Sequence, residues 1–202
     1  MTDGAWIAVE GLIGAGKTTT ANLLAERLGA QPLLERVAAH PLLPRFYEEP
    51  DRFALETELV FMALRLHEAK AVEPGESVVS DFTPAKTSVF ASVNVSDKDA
   101  CLIEVFEAHV WEDLARPGIA VFLDVPPKVC LARIRARGRE FEQGLAITYL
   151  EALRAAYFVR LDALAASVIT LELDGSSSAE EVTDAVAASI AGVQADERRH
   201  EG

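Results

Sequence analysis

Gly11-Leu12-Ile13-Gly14-Ala15-Gly16-Lys17-Thr18 satisfies the pattern G-x-x-x-x-G-K-[ST] at every required position. In such a run the glycines let successive backbone N–H groups turn inward onto phosphate oxygens. Lys17 sets a point charge against the β- and γ-phosphates, and the Thr18 hydroxyl is suited to a place on Mg²⁺. The flanks agree with this reading. Residues 5–9 form a short apolar run ending in Glu10, which predicts a buried strand, and residues 19–28 carry apolar side chains at helical spacing up to Gly29. A strand, a glycine-rich loop and a helix in that order predict a nucleoside triphosphate site. The eight loop residues and Thr19 are its candidate contacts.

Outward from the loop, strand-like runs recur at residues 31–34, 78–80, 119–123 and 168–173, with helical periodicity between them at 52–72, 98–115 and 127–137. This alternation predicts an α/β fold with right-handed crossovers and five parallel strands in three layers, the arrangement of P-loop kinases. A last helix is expected over 179–193, after the turn-rich Asp174-Gly175-Ser176-Ser177-Ser178. No repeat or linker divides the chain. The expectation is one domain over 1–193 and a charged, disordered tail over 194–202.

Composition limits the partners. The 202 residues carry a formal net charge of −13, which argues against a nucleic-acid polymer. No apolar run is long enough to span a bilayer, and the first residues lack a basic stretch followed by an apolar core, so a cytoplasmic protein is expected. Cys101 and Cys130 are read as buried, reduced thiols rather than a disulfide, and His40, His67, His109 and His200 are too scattered for a zinc site.

In an open parallel sheet, ligands gather beyond the carboxyl ends of the strands. That rule collects the glycine-rich loop, Glu35, Asp81 and Asp124 from distant parts of the sequence. A GTPase reading is weakened by the lack of N-K-x-D. Arg133-Ile134-Arg135-Ala136-Arg137-Gly138-Arg139 points instead to a kinase. Arg133 and Arg137 share a helix face, Gly138 ends the helix and Arg139 follows. In an acidic chain, this is either a solvated basic face or an arginine-bearing lid, at about 133–144, closing over phosphates. Glu35, following a strand, is the candidate base for an attacking hydroxyl.

The set E-G-L-I-G-A-G-K-T-T (10–19), Glu35, F-Y-E-E-P (46–50), V-V-S-D-F (78–82) and R-G-R-E-F-E (137–142) resembles the deoxynucleoside kinases, in particular the bacterial deoxyguanosine and deoxyadenosine kinases. The likeness runs from about residue 5 to residue 165. It implies ATP and Mg²⁺, with Thr18 on the metal, and Glu35 as the base activating a 5′-hydroxyl. Tyr47 and Glu142 would hold the 3′-hydroxyl. Arg65 and Asp81, with Glu58, would face the nucleobase. Arg133, Arg137 and Arg139 would form the lid on the donor phosphates, and the 174–178 loop would border the donor adenine. Family members are usually homodimers, and residues 98–115 are the candidate pairing helix.

Two positions depart from the family pattern. Where many relatives carry Glu/Asp-Arg-Ser, the aligned run here is Gly75-Glu76-Ser77, so an arginine that helps the catalytic carboxylate is missing, and Lys86 is a candidate substitute. Glu58 stands where many relatives have Gln, seven residues before Arg65. An ionised carboxylate only accepts, so it suits the adjacent N1–H and N2–H₂ of guanine, with Arg65 donating to O6 or N7. Adenine would set its N1 lone pair against it, at a cost of about 1–3 kcal/mol. The expected reaction is phosphorylation of deoxyguanosine to dGMP in nucleotide salvage. Deoxyadenosine or a broad range of deoxynucleosides is the alternative; a nucleoside monophosphate kinase and a non-catalytic nucleotide switch are more distant rivals.

Overall fold

The computed structural model describes residues 4–200, without the side chains of 196–198 and 200. Five strands, β1 (Trp6–Gly11), β2 (Gln31–Leu33), β3 (Val78–Ser80), β4 (Ile119–Asp124) and β5 (Ser167–Glu172), form one all-parallel sheet in the order β2-β3-β1-β4-β5. Every residue of β1, β3 and β4 is buried, as expected of parallel strands covered on both faces, whereas β2 and β5 are edges. Pro32 sits in β2, where a missing N–H donor is tolerated.

The helices among the described residues are α1 (Lys17–Leu28), α2 (Leu43–Glu48), α3 (Pro50–Lys70), α4 (Lys86–Asn94), α5 (Asp97–Val110), α6 (Pro127–Arg137), α7 (Ile147–Val159) and α8 (Ala179–His200). Helices α1 and α8 pack together on one face of the sheet. In the other layer α4 touches α3, α5 and α7. The three-layer α/β fold is therefore the one the alternating pattern predicts. Helices α2, α4 and α7 add to the elements read from periodicity. Helix α8 runs on to His200 rather than ending near 193, because residues 194–200 include the good helix formers Ala, Glu and Arg and contain no Gly or Pro. Residues 1–3 of the expected domain and 201–202 of the expected tail lie outside the described residues.

Order in the chain brings the loop after β1 to the point where neighbouring strands are reached in opposite directions, the crevice favoured for ligands. Gly14 is required there. A Cβ on it would lie 2.6 Å from the Cys130 carbonyl oxygen, at a φ of 84° that L-residues rarely adopt. Glu10, fully buried at the end of β1, accepts from the Thr83 N–H (2.7 Å), the Thr83 hydroxyl (2.9 Å) and the Tyr157 hydroxyl (2.9 Å). These bonds tie β1 to the segment after β3 and to α7. Cys130 is buried as expected. Cys101 is exposed, on a face of α5 that also exposes Leu102, Val105 and Phe106. No helix among the described residues is long and apolar enough to cross a membrane.

Tyr157→Phe removes a donor from a carboxylate that has no access to water. The expected loss is about 1–3 kcal/mol, read as a fall in Tm of roughly 2–12 °C in thermal unfolding. An unchanged Tm would show that the Glu10 network does not brace the sheet.

Candidate active site

A cavity of about 510 Å³ opens at the carboxyl ends of the strands. Gly14, Gly16, Lys17, Thr18 and Thr19 line one end, with Ile13 beside them. Gly11, Leu12 and Ala15 are not part of its wall, and the side chains of Leu12 and Ala15 belong to the core. Lys17 folds back, its ammonium donating to the carbonyls of Gly11 (3.0 Å) and Leu12 (2.9 Å). Desolvation, followed by the charge of Lys86, lowers its pKa to about 8. Phosphate oxygens arriving at the loop would favour its charged form.

Glu35 lies in the middle of the cavity, just past β2. Arg65 donates from Nε to its Oε1 (2.7 Å), with Nη2 in ion-pair contact at 2.6 Å from the same oxygen, and Lys86 donates to its Oε2 (3.1 Å). All three side chains are nearly or fully buried. Burial alone would raise the Glu35 carboxyl. Lys86 and then Arg65 outweigh it and hold the pKa down to about 2. Lys86 is thus where the sequence suggested a substitute cation, and Arg65 stands with it.

Three residues singled out in the sequence make contacts that the sequence did not indicate. Arg65 lines the cavity together with Glu58, and its guanidinium is engaged by Glu35 and by the Thr87 hydroxyl, to which it donates (2.6 Å), giving a buried carboxylate that lacks the family arginine its counter-charge. Asp81 lines the same cavity and is tied to the glycine-rich loop and to Glu35. Its Oδ2 accepts from the Thr18 hydroxyl (2.5 Å) and its Oδ1 from the Glu35 N–H (2.7 Å), since β3 ends alongside the loop. Arg133 donates to the carbonyls of Ala15 (3.3 Å) and Gly175 (3.1 Å), bridging the glycine-rich loop to the 174–178 turn rather than lining the cavity. Asp124, at the end of β4, lies in a two-bond pair with Arg154 and outside the cavity.

Arg137 and Arg139 do line the cavity, and both donate to the nearly fully buried Glu142, from 2.6 Å and 3.2 Å. Tyr47 approaches the same turn by stacking on Phe141, and burial raises the pKa of its hydroxyl. At the far end, Glu58 Oε1 accepts from Asn94 Nδ2 (2.8 Å), and Asn94 also hydrogen-bonds the Tyr149 hydroxyl. Sequence reasoning missed Asn94 and Tyr149. The only signal for Asn94 was its spacing, eight residues after Lys86 on one helix, and α7 was not read as a helix.

With this geometry established, comparison with known proteins is decisive. The family model described as "Deoxynucleoside kinase" matches residues 7–193. The chain belongs to the deoxynucleoside kinase family. The kinase is 29% identical to a deoxyguanosine kinase from Bacillus subtilis (strain 168) over 185 residues, covering 88% of this chain and 89% of the relative. It is also 29% identical to a deoxyadenosine/deoxycytidine kinase from the same organism, over 75% of this chain and 74% of the relative. A solved deoxyadenosine kinase from M. mycoides with bound dATP superposes with a TM-score of 0.77 at 21% identity, over 92% of this chain and 98% of that one, which establishes the shared fold.

In this kinase the pairing of Glu35 sets a pH dependence. Glu35 is held at about 2 by two cations, so Lys86→Ala leaves it with Arg65 alone and raises its pKa. With Glu35 acting as the base under the function proposed below, it must be ionised to act, so the acid limb of the kcat/KM profile is expected to move to higher pH, with turnover down about tenfold. A profile superimposable on the parent's would remove Lys86 from the machinery.

Proposed function

We propose that the kinase transfers the γ-phosphoryl group of ATP to the 5′-hydroxyl of a purine deoxynucleoside, with deoxyguanosine preferred, in cytoplasmic nucleotide salvage. The observation that carries this reading is the position of Glu35, between the lysine of the glycine-rich loop and the Glu58 end of one cavity. A nucleoside laid along the cavity brings its 5′-hydroxyl to Glu35 and its base to Glu58. Glu35 orients that hydroxyl and takes its proton as the bond to phosphorus forms, a late event in a loose phosphoryl-transfer transition state. Tyr47 and Glu142 hold the 3′-hydroxyl. Arg137 and Arg139, now on Glu142, neutralise charge moving onto the bridging oxygen and exclude water.

Thr18 and Asp81 offer a hydroxyl and a carboxylate oxygen at the mouth of the loop, a hard donor set suited to Mg²⁺. Bound there, the ion would offset phosphate charge. Arg133, holding the 174–178 turn, shapes the place of the donor adenine. The chain acts as one unit over 1–193, with residues 133–144 as its lid. A monophosphate acceptor is disfavoured, because the Glu58 end offers carboxylate, amide and phenol groups while Arg65 and Lys86 are engaged by Glu35.

The test is kcat/KM with Mg·ATP for each deoxynucleoside and ribonucleoside. Deoxyguanosine is expected to lead, and Glu35→Gln to lower kcat by about 10²–10⁴-fold. No phosphorylation of any nucleoside would remove the reading.

The second expectation concerns assembly. Leu102 (62% exposed), Val105 (65%) and Phe106 on α5 and Phe158 and Val159 at the end of α7 are exposed, and Arg160, just past α7, pairs with Glu104 of α5. A second copy of the chain covers this apolar face. Val105→Glu with Phe106→Glu is expected to halve the mass measured by sedimentation, without unfolding. A parent protein that already sediments as a monomer would refute the homodimer.

A further inference from the structure

Glu58 is 1% exposed, and although its Oε1 takes the Asn94 amide, its Oε2 has no hydrogen-bond partner. No cation among the described residues pairs with it directly. From its own helix α3, Arg65 is turned to Glu35 and Thr87. From α4, Lys86 reaches Glu35 and the Asp81 carbonyl, and Asn94 provides the one amide contact. From α2 and α7 come the phenols of Tyr47 and Tyr149, and from the segment after β2 the Glu35 anion. His40 is engaged with the Thr57 carbonyl. A carboxyl so enclosed has a strong reason to take up a proton, and one bare oxygen on which to carry it.

We infer that Glu58 reads the purine in two protonation states, with Asn94 holding Oε1 and leaving Oε2 for the base, so that one carboxyl serves deoxyguanosine when ionised and deoxyadenosine when protonated. This rests on the kinase reading above and refines its substrate class. Ionised, both oxygens accept, from N1–H and N2–H₂ of guanine. Protonated on Oε2, the group donates to N1 of adenine while the second lone pair of Oε1 accepts from the N6 amino group. The proton comes from solvent, and no bond in either purine changes. Desolvation raises the carboxyl pKa to about 7 against the Asn94 hydrogen bond and the charge of Arg65, so both forms are populated near neutrality. Asn94 is a positioning residue in this scheme: its donated hydrogen bond favours the ionised form.

The experiment is kcat/KM for deoxyguanosine and deoxyadenosine with Mg·ATP, on the intact protein, between about pH 6 and about pH 8. Glu35, Lys17 and the lid act on both substrates and cancel in the ratio. If each purine is served by one form, the guanine-to-adenine ratio follows the ionised-to-protonated ratio and rises about tenfold per pH unit. A rise of at least about thirtyfold over the range is expected. Glu58→Gln, which both donates and accepts at any pH, is expected to give a flat ratio favouring deoxyadenosine. Asn94→Ala is expected to lower the ratio at each pH, because it raises the Glu58 pKa further. A flat ratio in the parent protein with both purines phosphorylated, or a slope that survives Glu58→Gln, overturns the inference and leaves the kinase standing. Turnover of neither purine removes both.

Discussion

The buried carboxylate of Glu35, held between Arg65 and Lys86, is the constraint on which the rest of the site depends. Taking three charged groups out of water is tolerable only if they face one another with their hydrogen bonds made, and removing one partner typically costs about 3–5 kcal/mol. Here the three come from the segment after β2, from the C-terminal third of α3 and from the first turn of α4. Satisfying them therefore sets how those segments approach the sheet. It also determines which groups remain for a substrate, because the two cations nearest the base end are already engaged.

That division gives the cavity two chemically distinct ends. The loop end has Lys17, Thr18 and the Asp81 carboxylate, with Arg137 and Arg139 opposite, and is suited to phosphate. The far end is lined by Glu58, Asn94 and Tyr149 and has no unengaged positive group, so it suits a neutral, hydrogen-bonding ring. Helix α4 joins them. Its first residue is Lys86 and its last Asn94, about 12 Å apart along the axis. One rigid element, packed against α3, α5 and α7, thus sets the distance between the cation on Glu35 and the amide on Glu58.

Much of this was legible in the sequence where the signal is local. The glycine-rich loop, the buried strand before it and the helix after it follow from residue types in a continuous stretch. The stop at Gly138 does too, and it appears as a left-handed cap at a φ of 73°. The carboxyl-end rule for parallel sheets then collected the glycine-rich loop, Glu35 and Asp81 into one place. The same rule brought in Asp124, which the structure pairs with Arg154 away from the cavity. Strand ends say where a side chain begins, but not which neighbour satisfies it. Asn94 left little trace, since an amide near a helix end reads equally well as a cap.

The α/β fold, the phosphate loop and the groups available at the strand ends are written in local runs of residues, because helix and strand periods and turn chemistry act over short stretches. Which group pairs with which emerges only when distant segments are packed together. Arg65 meets Glu35 across 30 residues, Lys86 meets the same carboxylate across 51, Asp81 meets Thr18 across 63, and Arg133 reaches the loop across 118. Each partner was chosen by the cost of leaving a charge or polar group buried and unmatched, and that cost exists only once the layers have closed around it.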